Sequence, residues 1–445
     1  MKYYIGLDIG TSAVKGALMD EDGTVVRVTD KKFSYVFEGS FKLLDPDRFV
    51  NTCFAVIRDL ASSADGAIAA LCSCCASGNP LFLDEDLKPL TRIIGWQSEI
   101  PQEDLDAVYT KREQDDIYRI VGWDFFNGMP AANLAWIKLH RPDILKKTKI
   151  LTMSAEYMNF LLTGKWGVSR SMGTPFYLID QEKGEYSRMM LDKFGLTEDM
   201  LPPIFEKGTV LGAVLPEKAA DLGLDEKTQV VLGSFDHPSG ALGAGVFDEG
   251  DLLLSCGTSW VELFPVASRD FALSTGCLVD KFMIGGTPWC VMASVDSLSD
   301  RIDALRKRFF GGISYDEFDV LAAAGKPGCG GLRFGFTGGD GEKAEGHEKP
   351  DIARAIIESG AYLLKDNLAK LRKIGLHADR ITAIGGITNS KVCIDIISDV
   401  MGGKINVVNG QSAGAVGSCL LAGIGTGAFP GEKEAFEIMR RRQIK

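Results

Sequence analysis

The feature that most constrains this chain is that it repeats itself. Leu7-Asp8-Ile9-Gly10-Thr11-Ser12-Ala13-Val14 returns as Leu254-Ser255-Cys256-Gly257-Thr258-Ser259-Trp260-Val261. Each copy reads as an apolar strand, a Gly-Thr-Ser turn and a second apolar strand. The repeat distance is about half of the 445 residues, so it means two related domains, not a solenoid. Length agrees, because single cores stop growing at roughly 250–300 residues. We place the boundary near residue 230, with an N-terminal domain at 1–230 and a C-terminal domain at 231–445.

The surrounding pattern is α/β. After the first hairpin the chain turns again at Glu21-Asp22-Gly23 and continues into "TVVRVTDKK", a strand meander. "DPDRFVNTCFAVIRDLASSA" has apolar residues at helical spacing, with Asp45 as N-cap and Pro46 in the first turn. "AIAALCSCCAS" reads as a strand feeding a loop. Residues 101–200 read as mostly helical, and Gly164 suits the end of the helix "SAEYMNFLLTG". "TQVVLGSFDHPSGALGAGVF" reads as a strand over Val230–Leu232, a loop, and a helix from about Pro238. The Gly-rich segment 325–350 reads as a loop before a long helix from Asp351 to Gly375. "RITAIGGITNS" reads as a strand entering a Gly-Gly turn, and the chain closes on the small-residue helix "SAGAVGSCLLAGIG".

Composition narrows the function. A formal net charge of -11 argues against nucleic acid as a partner, since its phosphates would be repelled. It leaves a local nucleotide site open, because such sites bring Mg²⁺ with them. No apolar run reaches the ~20 residues that span a bilayer, and "YYIGLDIG" follows Lys2 directly where a secretory h-region would lie. A cytoplasmic protein without a membrane partner is expected. The C-x-x-C of Cys72, Cys74 and Cys75 has no second pair, so a buried strand outranks a zinc or redox site.

Two matched Gly-Thr-Ser turns suggest a two-sided phosphate clamp. Glycine lets backbone N–H groups approach phosphate oxygens, and Thr and Ser add hydroxyl donors. One such turn alone is an ordinary tight turn. Neither copy is a P-loop or a dinucleotide fingerprint, since a strand follows where a helix would be needed. Lys15 falls on the polar face of its strand, where a phosphate contact and a solvated Lys are equally good readings.

Taken together, "YIGLDIGTSAVKGAL", "DPDRFV", "LAWIKLHRPDIL", "AEYMNFLLTG", "GSFDHPSGALGAG", "LLLSCGTSW", "AIGGITNS" and "AGAVGSCLLAGIG" resemble, in order and over essentially the whole chain, the FGGY family of carbohydrate kinases. Among them the pattern is most like that of the xylulokinases. The resemblance implies two actin-like (ribonuclease H-like) ATPase domains flanking a cleft, with sugar bound mainly to the first and ATP mainly to the second. It implies that Asp236 is the catalytic base, with an N-cap role for the following helix as the structural alternative. It makes Asp8 the metal-associated carboxylate, holding Mg²⁺ through water. Gly10, Thr11, Ser12 and Lys15 would meet the terminal phosphates from one side, and Gly257, Thr258 and Ser259 from the other. Gly385, Gly386, Asn389 and Ser390 match the adenosine-side positions.

The sugar side departs from that pattern. Ala76-Ser77-Gly78, followed by Asn79, replaces a Gln-Met-His loop. Trp96-Gln97-Ser98-Glu99-Ile100 keeps the Trp of a Trp-x-Asp-x-Arg motif but loses its charged pair, and Ser169 stands where Asp is common. Asn79, Trp96, Gln97 and His237 are the expected sugar contacts, with Trp96 equally readable as a core aromatic. The expectation is an ATP- and Mg²⁺-dependent kinase acting on a small sugar or polyol, a ketopentose such as xylulose or a related ketose. A homodimer is compatible with such a chain. The alternative is a sensor that binds nucleotide and sugar but has lost turnover.

Overall fold

The computed structural model describes residues 1–336 and 344–443. The chain divides into two compact units. The first holds Met1–Phe247, Val266–Val291 and Gly414–Lys445; the second holds Asp248–Pro265 and Met292–Ala413. The division is therefore not a single cut near residue 230. The chain leaves the first unit after Phe247 and returns to it twice.

The first unit is built on β1 (Lys2–Ile9), β2 (Ala13–Asp20), β3 (Val25–Lys32), helix α1 (Pro46–Ala61) and β4 (Ala67–Cys75). A short helix α2 (Arg170–Gly173), β5 (Val210–Ala213), β6 (Gln229–Phe235) and α3 (Asp236–Ala244) complete it. Its six-stranded sheet has the order β5-β6-β4-β1-β2-β3. β1 is antiparallel to β2 and parallel to β4, which is parallel to β6. β1 is buried almost throughout, as a central strand covered on both faces must be. Asp45 caps α1, accepting from Arg48 N at 3.0 Å, with Pro46 in the first turn. The apolar stripe Phe49, Cys53, Val56, Ile57 and Leu60 packs inward. Gly164 ends its helix in the left-handed conformation, φ 69°. Cys72, Cys74 and Cys75 lie buried in β4 as free thiols. Residues 101–200 are mostly helical, as expected, with a few short strands between the helices.

The second unit carries the echo. β7 (Asp251–Cys256) and β8 (Trp260–Val266) form its hairpin. Helix α4 (Leu298–Phe310), helix α5 (Lys349–Lys373), β9 (Arg380–Gly385), helix α6 (Lys391–Met401) and β10 (Ile405–Val407) follow. These strands lie in the order β8-β7-β9-β10. β7 is antiparallel to β8 and parallel to β9, and β9 is parallel to β10. That is the pairing pattern of β2-β1-β4-β6, so the duplication read from one hairpin extends to the sheets. Of the Gly-rich segment 325–350, Cys329–Gly331 forms a 3₁₀ turn and 337–343 lie outside the described residues.

Helix α7 (Ala413–Gly425) explains why the first unit reclaims the end of the chain. A Cβ on Gly6 of β1 would lie 1.9 Å from Ala415 O. One on Gly417 would lie 2.0 Å from Ser239 O in α3. The helix touches β1 and α3 backbone to backbone, which only glycine permits. Ser418 Oγ donates to Leu7 O at 3.1 Å and Ser239 Oγ to Gly414 O at 2.9 Å, pinning the three elements together.

Candidate active site

In the first unit the parallel strands β1, β4 and β6 end at one sheet edge. Asp8 is level with Cys74, Ile9 and Phe235 both pair with Cys75, and Asp236 follows at once. The carboxyl ends of parallel strands are where α/β folds place ligands. Asp236 is the first residue of α3, and Phe235 is the N-cap. The N-cap alternative for Asp236 therefore does not describe it. Its Oδ1 accepts from the His237 backbone N–H at 2.8 Å, and His237 Nε2 stands 3.8 Å from the same oxygen. Burial raises the Asp236 pKa above the usual carboxylate range, and the neighbouring His237 offsets part of this.

Asp8 is half-buried at the end of β1, directly opposite Lys15 in the β1–β2 register. Its pKa is pushed up to about 6, first by burial and then by the charge of Asp236; Lys15 and His237 pull the other way. Two acids from positions far apart in the chain thus share one electrostatic environment. A Cβ on Gly414 would come within 2.7 Å of Asp8 Oδ2, so glycine keeps the space beside that carboxylate open. Sequence reasoning missed Gly414, Ser239 and Ser418. Only the small-residue character of α7 could have signalled them.

The first Gly-Thr-Ser turn uses one of its own donors. Gly10 N–H closes on Ala13 O at 3.0 Å, which leaves Thr11 and Ser12 as the turn's donors. Trp96 Nε1 donates to Thr11 Oγ1 at 3.1 Å, and Tyr35 OH donates to Thr11 O. A hydroxyl that accepts keeps its own proton to give. Trp96 N donates to Asn79 Oδ1 at 3.2 Å, Asn79 Nδ2 donates to Ala76 O at 2.8 Å, and Lys42 Nζ bonds Gln97 Oε1. Asn79, Trp96 and Gln97 therefore gather beside the hairpin. Trp96 is 36% exposed, not a core aromatic.

In the second unit Cys256 pairs with Gly385, so Gly257 and Gly386 follow side by side at the sheet edge. Gly385 has φ 95°, and a Cβ there would lie 2.4 Å from Cys256 O. Gly386 faces open space. A cavity of about 520 Å³ opens here, lined by Gly257, Thr258, Gly386, Asn389 and Ser390 among others. Ser259 and Gly385 do not line it. Ser390 Oγ accepts from Cys393 N at 2.9 Å and caps α6. The sequence reading missed Ser299, Asp303, Arg306, Tyr315 and Phe318, which stand on and near α4 and also line the cavity. Ser299 Oγ donates to Gly257 O at 2.6 Å and accepts from Trp260 Nε1 at 2.9 Å. Arg306 is already committed to Asp303 at 2.7 Å.

Sequence comparison matches residues 3–243 to the FGGY family of carbohydrate kinases, N-terminal domain, and 326–426 to its C-terminal domain. The chain belongs to the FGGY family of carbohydrate kinases. It is 26% identical over 463 residues to the xylulose kinase of Bacillus subtilis, covering 98% of this chain and 91% of that one. It is 25% identical over 478 residues to the autoinducer-2 kinase of Salmonella typhimurium, covering 99% and 89%. The fold matches the crystal structure of ligand-bound xylulose kinase from Lactobacillus acidophilus with a TM-score of 0.86 at 22% identity, over 98% and 92% of the two chains. This FGGY member is therefore an ATP-dependent carbohydrate kinase built of two actin-like domains. No helix among the described residues is long and apolar enough to cross a membrane.

Proposed function

We propose that this kinase transfers the γ-phosphate of ATP to a hydroxyl of a small ketose or polyol, a ketopentose such as xylulose being the first candidate, with Asp236 as general base. The observation that carries the reading is the pairing of Asp8 and Asp236. The charge of Asp236 disfavours the ionisation of Asp8, and acids perturbed in this way concentrate at functional sites. A carboxylate raised toward neutrality is the better proton acceptor at working pH.

Asp236 accepts the proton of the sugar hydroxyl as that oxygen attacks the γ-phosphorus, and ADP leaves. Thr11, Ser12 and Lys15 of the first unit's hairpin, and Gly257, Thr258 and Ser259 of the second unit's, are the candidate donors to the phosphates. The cavity at Gly386, Asn389 and Ser390 takes the nucleoside. Asn79, Trp96, Gln97 and His237 orient the sugar.

The donor set fits Mg²⁺. No group of three or more His, Cys, Asp or Glu able to hold a metal exists among the described residues. Mg²⁺ does not need one, because it keeps its waters and uses one or two carboxylates plus substrate phosphates. Asp8, with space kept beside it by Gly414, is the carboxylate that would hold it. When bound, Mg²⁺ neutralises phosphate charge and relieves the repulsion between the two acids.

The altered sugar loops favour the sensor alternative, but Asp8 and Asp236 are both kept, which opposes it. Sugar-dependent ADP release across a panel of ketoses, aldoses and polyols tests the reading. Turnover of at least one is expected, and Asp236→Asn should lower its kcat about 10³-fold. ATP binding without turnover of any sugar would favour the sensor. Near-normal turnover by Asp236→Asn would remove Asp236 as the base.

A further inference from the structure

We propose that Asp280 is a positioning residue for Asp236, acting through Ser171 on the peptide that begins helix α3. The proposal rests on the reading of Asp236 as the base.

Asp280 lies on the strand Leu278–Lys281, in the segment Val266–Val291 that the first unit recovers from the middle of the chain. Its side chain has no exposure. Oδ2 accepts from Ser171 Oγ at 2.9 Å, and Oδ1 accepts from Thr174 Oγ1 at 2.7 Å and Lys281 N at 2.8 Å. Ser171 Oγ in turn accepts from the backbone N–H of Phe235 at 3.1 Å. Phe235 is the N-cap of α3, and no side chain caps that helix. The β6–β4 ladder is irregular between Leu232 and Phe235, so the strand-to-helix corner has lost its regular support. The Ser171 hydroxyl supplies a support there, and Asp280 orients that hydroxyl by accepting its hydrogen bond. One peptide further on is Asp236.

The arrangement is costly. A fully buried carboxyl is expensive even when hydrogen-bonded, and burial pushes Asp280 up to about 7 despite the two hydroxyls and the amide on it. It is braced from behind: Gln181 Nε2 donates to Thr174 Oγ1 at 3.2 Å and Arg269 Nε to Gln181 Oε1 at 3.2 Å. A buried network ending on the peptide before the base is expected where a small misplacement lowers turnover by about 10²-fold.

The two hydroxyls on Asp280 provide an internal control. Ser171→Ala and Thr174→Val each remove one of them, but only Ser171 reaches Phe235. Ser171→Ala should lower kcat about 10- to 100-fold while both KM values stay within about threefold. Thr174→Val should keep kcat within about threefold at a similar loss of Tm. Asp280→Asn should retain more kcat than Asp280→Ala, because its amide oxygen still accepts from Ser171. Amide hydrogen exchange over residues 229–244 gives a readout independent of turnover: faster exchange is expected in Ser171→Ala and Asp280→Ala, not in Thr174→Val. Equal kcat and exchange effects of Ser171→Ala and Thr174→Val, or no effect of Ser171→Ala, would overturn the proposal. If Asp236→Asn is inactive while Ser171→Ala behaves like Thr174→Val, the relay fails and the base reading stands. If Asp236→Asn is active, both fall.

Discussion

The two Gly-Thr-Ser hairpins share a backbone plan and differ in their chemistry. The first closes on Ile9↔Val14 and leaves 10–13 in the turn; the second closes on Cys256↔Trp260 and leaves 257–259. The first turn is held by aromatic side chains, Trp96 and Tyr35 on Thr11. The second is held by the start of α4: Ser299 N donates to Thr258 O at 3.1 Å and Ser297 N to Ser259 Oγ at 3.0 Å. Asp8 of the first hairpin becomes Ser255 in the second, and Lys15 becomes Glu262. Asp8 is partly exposed and feels Asp236. Glu262 is fully buried and accepts from Asn367 Nδ2 at 2.9 Å, while its Oε2 has no partner among the described residues. Duplication copied a turn that suits phosphate. Its surroundings then left one copy with a partly exposed acid and sealed the other copy's acid away.

The contrast can be broken where the acids differ. Asp8→Asn should lower kcat about 10²-fold and raise the Mg²⁺ concentration for half-maximal rate, whereas Ser255→Ala should leave both within about twofold. A Mg²⁺ dependence unchanged in Asp8→Asn would remove the metal from the first hairpin.

The glycines sharpen it next. Gly385→Ala, with positive φ and a Cβ in contact with Cys256 O, should cost on the order of 3 kcal/mol. Gly386→Ala, in open space, should cost less than about 1 kcal/mol and act on the KM for ATP. Urea unfolding with nucleotide titration separates the two. Equal destabilisation would contradict the packing described.

The buried acids predict the pH response. Burial raises Glu156 to about 8, and Glu262 and Asp280 to about 7. Between the unfolded values and these, the folded protein holds more protons than the unfolded chain. The stability these three acids contribute is therefore complete below about pH 4 and falls as pH rises toward 8. Glu156→Gln, at a side chain whose Oε2 lacks a partner, should flatten that fall by on the order of 1–2 kcal/mol between pH 5.5 and 8. Glu262→Gln should act in the same direction with kcat unchanged. Urea midpoints at the two pH values measure both, and a steeper fall in either variant would reverse the sign argued here.

Much of the fold was legible in the sequence because its signals are local. The hairpins, the Asp45-Pro46 start of α1, the Gly164 helix end and the strand before Asp236 each follow from residues within one turn of one another. The start of α3 was misjudged by two residues, since Pro238 marked the helix while Asp236 already belongs to it. The candidate acids were named from the resemblance, and their electrostatic coupling was not visible.

The sequence by itself determined that the chain is duplicated, that each half carries a Gly-Thr-Ser turn, and which family it joins. Those are properties of short-range pattern and order. The tertiary structure alone decided that residues 266–291 and 414–445 return to the first unit, that Gly6, Gly414 and Gly417 let α7 reach β1 and α3, and that Asp280 stands behind the corner carrying Asp236. Such choices depend on which distant surfaces are complementary. Complementarity is a property of packed shapes and buried charge, which no local period records.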